Sequence, residues 1–161
     1  MVERSSKLSE SEIWNHLSEV YDPEVPVLTV IDLGIVRKIQ IADDAVKVLI
    51  TPTYSGCPAM NIIEQDINAK LMEKGIGNFT VETVLSPAWT TEWMSKEGKA
   101  KLKEYGIAPP NSRADGSGRP EECPNCGSKD TKLKSEFGST ACKALYVCES
   151  CKEPFDYFKC H

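Results

Sequence analysis

Two Cys-x-x-Cys pairs stand 21 residues apart near the end of the 161-residue chain, Cys123-Pro-Asn-Cys126 and Cys148-Glu-Ser-Cys151. A thiolate is a soft metal ligand, and each Cys-x-x-Cys turn aims two of them at one point. Two such turns supply the four sulfurs of a closed tetrahedral site. The spacing predicts a four-cysteine, zinc-ribbon-like module with Cys123, Cys126, Cys148 and Cys151 as ligands. Zinc fits that geometry, and so does rubredoxin-like iron. Metal–thiolate bonds stabilise a segment too small to fold on apolar burial alone. The plainer reading is four free thiols. Cys142 and Cys160 fall outside the pattern. Cys142 reads as an ordinary small side chain, and Cys160, beside His161, as either that or a further soft-metal contact.

The seventh cysteine stands apart, in Thr51-Pro-Thr-Tyr-Ser-Gly-Cys57-Pro58-Ala-Met60. Proline suits the first helical position, where its missing N–H is not needed. Cys57 is therefore expected at the N-cap, facing free N–H groups and the positive end of the helix dipole, a setting that favours the thiolate. Gly56 permits the sharp approach. A nucleophilic role needs a histidine base, and the chain has only His16 and His161. A redox role needs a resolving thiol, and none is near in sequence. Two readings stay open: a soft ligand holding iron or an iron–sulfur cluster transiently, with other ligands from a partner chain or a loop carboxylate, or a helix cap and nothing more.

The elements that must position these groups follow from periodicity. Ser9 and Glu12 form a capping box ahead of a helix expected through Tyr21, with Ile13, Leu17 and Val20 on one face. Residues 35–41 and 46–50 alternate as a hairpin, and Phe79, Val81, Thr83 and Leu85 mark a third strand. Met60, Ile63, Ile67 and Leu71 line one side of a helix over 58–74, and a short charged helix covers 95–105. The fold class is α+β: a small sandwich of helices on a three-stranded sheet over residues 1–106, a linker at 107–120 and the ribbon at 121–161. The linker, Ile-Ala-Pro-Pro-Asn-Ser-Arg-Ala-Asp-Gly-Ser-Gly-Arg-Pro, reads as a flexible coil reaching roughly 20 Å. Phe155, Tyr157 and Phe158 are expected as a small core beneath the metal knuckles.

Charge excludes one class of partner. Residues 1–106 carry 11 basic and 16 acidic side chains, and residues 121–161 carry 6 and 7. Neither has the positive excess that binding a phosphate backbone requires, so nucleic acid is not expected. The N-terminus lacks a signal-peptide apolar region, and no run approaches the ~20 apolar residues of a membrane span. The reading is a cytoplasmic protein with reduced thiols. Neither a glycine-rich nor a phosphate-binding loop is present.

Asp22-Pro-Glu24, Leu33-Gly-Ile-Val36 and Thr51 through Cys57-Pro58 resemble the metal–sulfur cluster biosynthesis family. Residues 86–110 and 137–161 look like D-type subunits of the phenylacetyl-CoA oxygenase system. The resemblance implies an accessory, non-catalytic role in maturing that oxygenase in phenylacetate degradation. It implies Cys57 as the reactive or cluster-linked residue with the Asp22 position near it; the residues themselves add that Asp22 and Glu24 lie on one loop, placed to supply hard ligands or to tune the thiol. The implied partners are the [2Fe–2S] reductase or the di-iron subunit, and a second copy of the chain is a candidate. The alternative is a docking subunit in which Cys57 is structural.

Overall fold

The computed structural model describes residues 8–43, 45–53, 56–110, 118–138, 140 and 143–158. Cys142, Cys160 and His161 lie outside the described residues. Helix α1 (Glu10–Leu17) opens with the expected capping box: Ser9 Oγ accepts from the Glu12 N–H, and Glu12 Oε2 accepts from the Ser9 N–H. It stops at Leu17, four residues short of Tyr21. The next residues are taken by a small antiparallel loop: the Val30 N–H donates to Val20 O, Tyr21 pairs with Thr29, and the Asp22 N–H donates to Leu28 O at 2.8 Å.

Strands β1 (Val36–Ala42) and β2 (Ala45–Ile50) form the expected antiparallel hairpin. Helix α2 (Ala59–Glu73) then crosses over to β3 (Phe79–Thr83), which pairs parallel with β2. β2 is thus the central strand, and its alternation buries Val46, Val48 and Ile50 against Ile13 and Leu17 of α1 and Ile63, Ile67 and Leu71 of α2. The loop carrying Cys57 leaves the carboxyl end of this central strand and leads into α2.

The segment after β3 closes over that end. Trp89 is buried, and its Nε1–H donates to Leu33 O at 2.8 Å. A 3-10 turn (Thr91–Trp93) leads into α3 (Lys96–Glu104). Gly34, at φ +72°, lies so close to the Trp93 carbonyl that a Cβ would stand 2.3 Å from its oxygen. Glycine is required there by contact as well as by conformation. Asp32 ties the same junction: it accepts from the Thr29 N–H, the Ser95 hydroxyl and Lys101 Nζ, the last at 2.7 Å.

The C-terminal half is a four-stranded sheet in the order β4-β7-β6-β5, with β4 at Ile107–Ala108, β5 at Thr131–Ser135, β6 at Lys143–Cys148 and β7 at Pro154–Phe158. β4 corrects the expectation that a solvated tether begins at residue 107. Ile107 and Ala108 pair in parallel with Asp156 and Tyr157; Ile107 buries in the first core and Ala108 in the ribbon core. Two apolar residues with opposite orientations are enough for a strand that stitches two cores. Residues 111–117 lie outside the described residues. Phe158 is the other departure. Phe155 and Tyr157 pack beneath the knuckles as expected, but Phe158 enters the first core, edge-on to Trp89 with ring centroids 6.1 Å apart.

That placement predicts a large effect from truncation. Phe158→Ala should cost about 3–5 kcal/mol, the usual range for a buried Phe→Ala. Urea unfolding of both proteins measures it. A loss below about 1 kcal/mol would mean that the ring lies in the first core without anchoring the ribbon there.

Candidate metal centre and thiol loop

The four ribbon sulfurs lie within 4.8 Å of one another. Cys123 Sγ is 3.9 Å from Cys151 Sγ, and Cys126 Sγ is 3.5 Å from Cys148 Sγ. A tetrahedron with metal–sulfur bonds of about 2.3 Å has edges of about 3.8 Å, so the donor set fits such an ion. Two near-duplicate turns build it. In the first, the Asn125 N–H donates to Cys123 Sγ and the Gly127 N–H to Cys123 O. In the second, the Cys151 N–H donates to Cys148 Sγ and the Lys152 N–H to Cys148 O. Gly127 and Lys152 both take positive φ, at 77° and 64°. The Ser128 and Ser150 hydroxyls meet at 2.8 Å between the turns. The Cys151 N–H, helped by that of Ser150, outweighs burial and pulls the Cys148 thiol down to about 6. Backbone donors aimed at sulfur are what a thiolate ligand needs.

Cys57 belongs to the first domain. Gly56, at φ +79°, turns the chain out of the loop. Pro58 already has helical φ and ψ, and the Cys57 carbonyl accepts from the Met60 N–H at 3.2 Å. The helix proper is assigned from Ala59, with Pro58 in the cap position, so Cys57 precedes it by one residue more than expected. Its side chain is half-buried against the first core. The loop begins at Thr51, whose Oγ1 is buried with no hydrogen-bond partner among the described residues. Such an atom costs roughly 1–3 kcal/mol, and nothing in the sequence marks it.

Asp22 and Glu24 share one turn. Asp22 is buried, and its Oδ1 accepts from the N–H groups of Glu24 at 2.6 Å and Val25 at 3.1 Å. Burial raises its carboxyl above the ordinary range, against the pull of those two N–H groups. Among the described residues no hydrogen bond joins Asp22 to Cys57; what Asp22 visibly does is hold its own turn. Sequence reasoning missed two residues around it. Lys143, from the ribbon, is buried and donates to Glu24 O at 3.3 Å. Asp32 pairs with Thr29, and the Thr29-x-x-Asp32 spacing, a capping-box pattern, was the available signal.

Comparison with known proteins follows the same two-part division. Residues 10–85 match the family described as iron-sulfur cluster assembly protein, and residues 107–159 match the PaaD zinc beta ribbon domain. The second match begins at β4. A protein of Escherichia coli (strain K12), named as the D-type subunit of a "Putative 1,2-phenylacetyl-CoA epoxidase", is 50% identical over 151 residues, 92% of each chain. The chain belongs to this family of D-type epoxidase subunits. An Fe-S protein maturation auxiliary factor of Porphyromonas gingivalis (strain ATCC BAA-308 / W83) is 35% identical over 96 residues, 58% of this chain and 90% of that one. A conserved hypothetical protein from Thermotoga maritima has a solved structure that is 38% identical, with a TM-score of 0.53, over 61% of this chain and 97% of its own. The D-type family thus joins an iron–sulfur assembly domain to a four-cysteine ribbon. Among the described residues no helix is long and apolar enough to cross a membrane.

Two outcomes are expected at these sites. Cys148→Ser should lose about one bound metal per chain and the order of residues 121–158, read by elemental analysis and near-UV circular dichroism. Metal-free wild type purified under reducing conditions would contradict it. The second concerns Asp22, whose carboxyl is ordinarily near 3.8. Because its folded value is raised, its stabilising contribution is whole below 3.8 and is lost as pH rises through the folded value. Asp22→Asn keeps an acceptor oxygen and removes the titration. The variant should therefore gain stability relative to wild type as pH rises across that window, and urea unfolding from about pH 3 to pH 7 would show it. A difference that is flat or falls with pH would mean that burial does not govern this carboxyl.

Proposed function

We propose that this chain is a non-catalytic maturation factor that assembles or delivers iron, or an iron–sulfur cluster, to a phenylacetyl-CoA oxygenase. The observation that supports it most is a single half-buried thiol, Cys57, at the start of α2 in a domain of the iron–sulfur assembly family. One cysteine outside the ribbon suits a transient ligand. A resident cluster is held by several, as the ribbon holds its own ion. Asp22 and Glu24 are the hard ligands of the reading, and Thr51 Oγ1 adds an unspent polar atom to the loop. Remaining ligands come from the client or from a second copy of the chain. The clients in this reading are the [2Fe–2S] reductase or the di-iron subunit of that oxygenase; the relative's name supports the link to a phenylacetyl-CoA epoxidase. The ribbon holds zinc, or iron in the same geometry, as a structural ion.

A second reading has its own support. The ribbon packs onto the first domain through Phe158 and Lys143. That suits a docking subunit in which Cys57 only shapes a helix end.

Cys57→Ser separates the two. The fold and the ribbon ion should survive, with stability changed by no more than ~1 kcal/mol. Oxygenase and reductase produced beside the variant in iron-limited cells should carry less iron or cluster than beside wild type, by metal analysis and absorption spectra. Equal loading would eliminate delivery through Cys57 and leave the docking subunit.

A further inference from the structure

The β6–β7 hairpin has two faces with different duties. Ala144 stands opposite Tyr157 and Tyr146 opposite Phe155, and with Cys148 these form the ribbon core. Side chains alternate along a strand, so Lys143 and its cross-strand partner Phe158 point the other way. Phe158 enters the first core. Lys143 is 5% exposed and reaches Glu24 O, 119 residues earlier in the chain. A lysine is seldom this buried unless its charge is used. Here its ammonium also opposes the effect of burial on Asp22.

The backbone at this end is fixed as well. The Lys143 N–H donates to Thr140 O, and Lys143 O accepts from the Gly138 N–H at 2.7 Å. At the opposite end of β6, about 17 Å away at 3.3–3.4 Å per residue, is the ligand Cys148. We propose that Lys143 is a positioning residue: from the ribbon it fixes the Asp22–Glu24 turn, and β6 makes that hold depend on the ion bound by Cys123, Cys126, Cys148 and Cys151. The ribbon then governs whether the turn is set for use, and a chain without its ribbon ion has a loose Asp22–Glu24 turn. This regulation rests on the reading that the turn serves the Cys57 site, but the coupling itself does not.

Amide hydrogen exchange on the full reduced chain tests it, with zinc as the probe ion. Zinc-loaded wild type is compared with zinc-loaded Lys143→Met and Lys143→Arg, and with wild type stripped by a chelator. Lys143→Met should keep about one zinc per chain, while exchange at the Glu24 and Val25 amides rises about tenfold or more. Lys143→Arg, which keeps a cationic donor, should stay closer to wild type than Lys143→Met. Removing zinc from wild type should raise exchange at the same two amides and leave those of Ile63 and Ile67 in α2 protected. Unchanged exchange at Glu24 and Val25 in zinc-loaded Lys143→Met would overturn the positioning role. Should that variant not fold, the stripped wild type decides. Unchanged exchange there, or loss of protection through α2 as well, would overturn the coupling. No readout involves client loading, so a Cys57→Ser variant that still loads its client defeats the delivery reading and leaves this result standing.

Discussion

Strand β7 buries aromatic rings on opposite faces, Phe155 and Tyr157 on one and Phe158 on the other, and much of the architecture answers to that requirement. Phe155 and Tyr157 need a cover, and β6 with the two cysteine turns supplies it. Phe158 needs another, and Trp89 supplies that from the first domain. Trp89 can be there only because its indole N–H finds Leu33 O, since a buried indole donor without an acceptor is costly. The aromatic pair is therefore where the ribbon's small core and the larger sandwich become one packing problem. A five-residue strand with aromatic side chains on both sides leaves the chain no way to hold the two halves apart.

The first domain meets this demand with a junction that is polar as well as apolar. Asp32 binds Thr29, Ser95 and Lys101 at one corner, and Gly34 lets the Trp93 backbone approach. Burial pushes the Asp32 carboxyl up, but Lys101 and the Thr29 and Ser95 donors prevail and hold it below its ordinary range. Two segments far apart in sequence, 29–34 and 89–102, thus share one corner. That corner adjoins the loop carrying Asp22, since Thr29 pairs with Tyr21. Holding the ribbon and shaping the Asp22 turn therefore fall to neighbouring residues.

Local rules made part of this legible. The Ser9–Glu12 box, the β1–β2 hairpin, the apolar face of α2 and the spacing of the four ribbon cysteines are all decided within a few residues or by a fixed ligand geometry. What was not legible is what pairing at long range decides. Val20 and Tyr21 have helical neighbours, yet their backbone is claimed by residues 29 and 30. Ile107 and Ala108 open a proline-rich segment, and only a partner some 50 residues on makes them a strand. Lys143 reads as surface because charge ordinarily is; its burial follows from the parity of a strand whose register is invisible until β7 is placed. Thr51 is threonine among threonines, and its solitary hydroxyl is a property of the fold.

The parallel pairing of β4 with β7 bears on how separable the two halves are. The change in composition invites a cut near residue 120, but that cut would leave Ile107–Ala108 behind and open the outer edge of β7 as an unpaired row of backbone groups. Such an edge is a template for joining another chain. A cut before residue 107 keeps the sheet whole and strips Trp89 of its cover. In this chain, then, either cut uncovers backbone or side chains that the other half now protects.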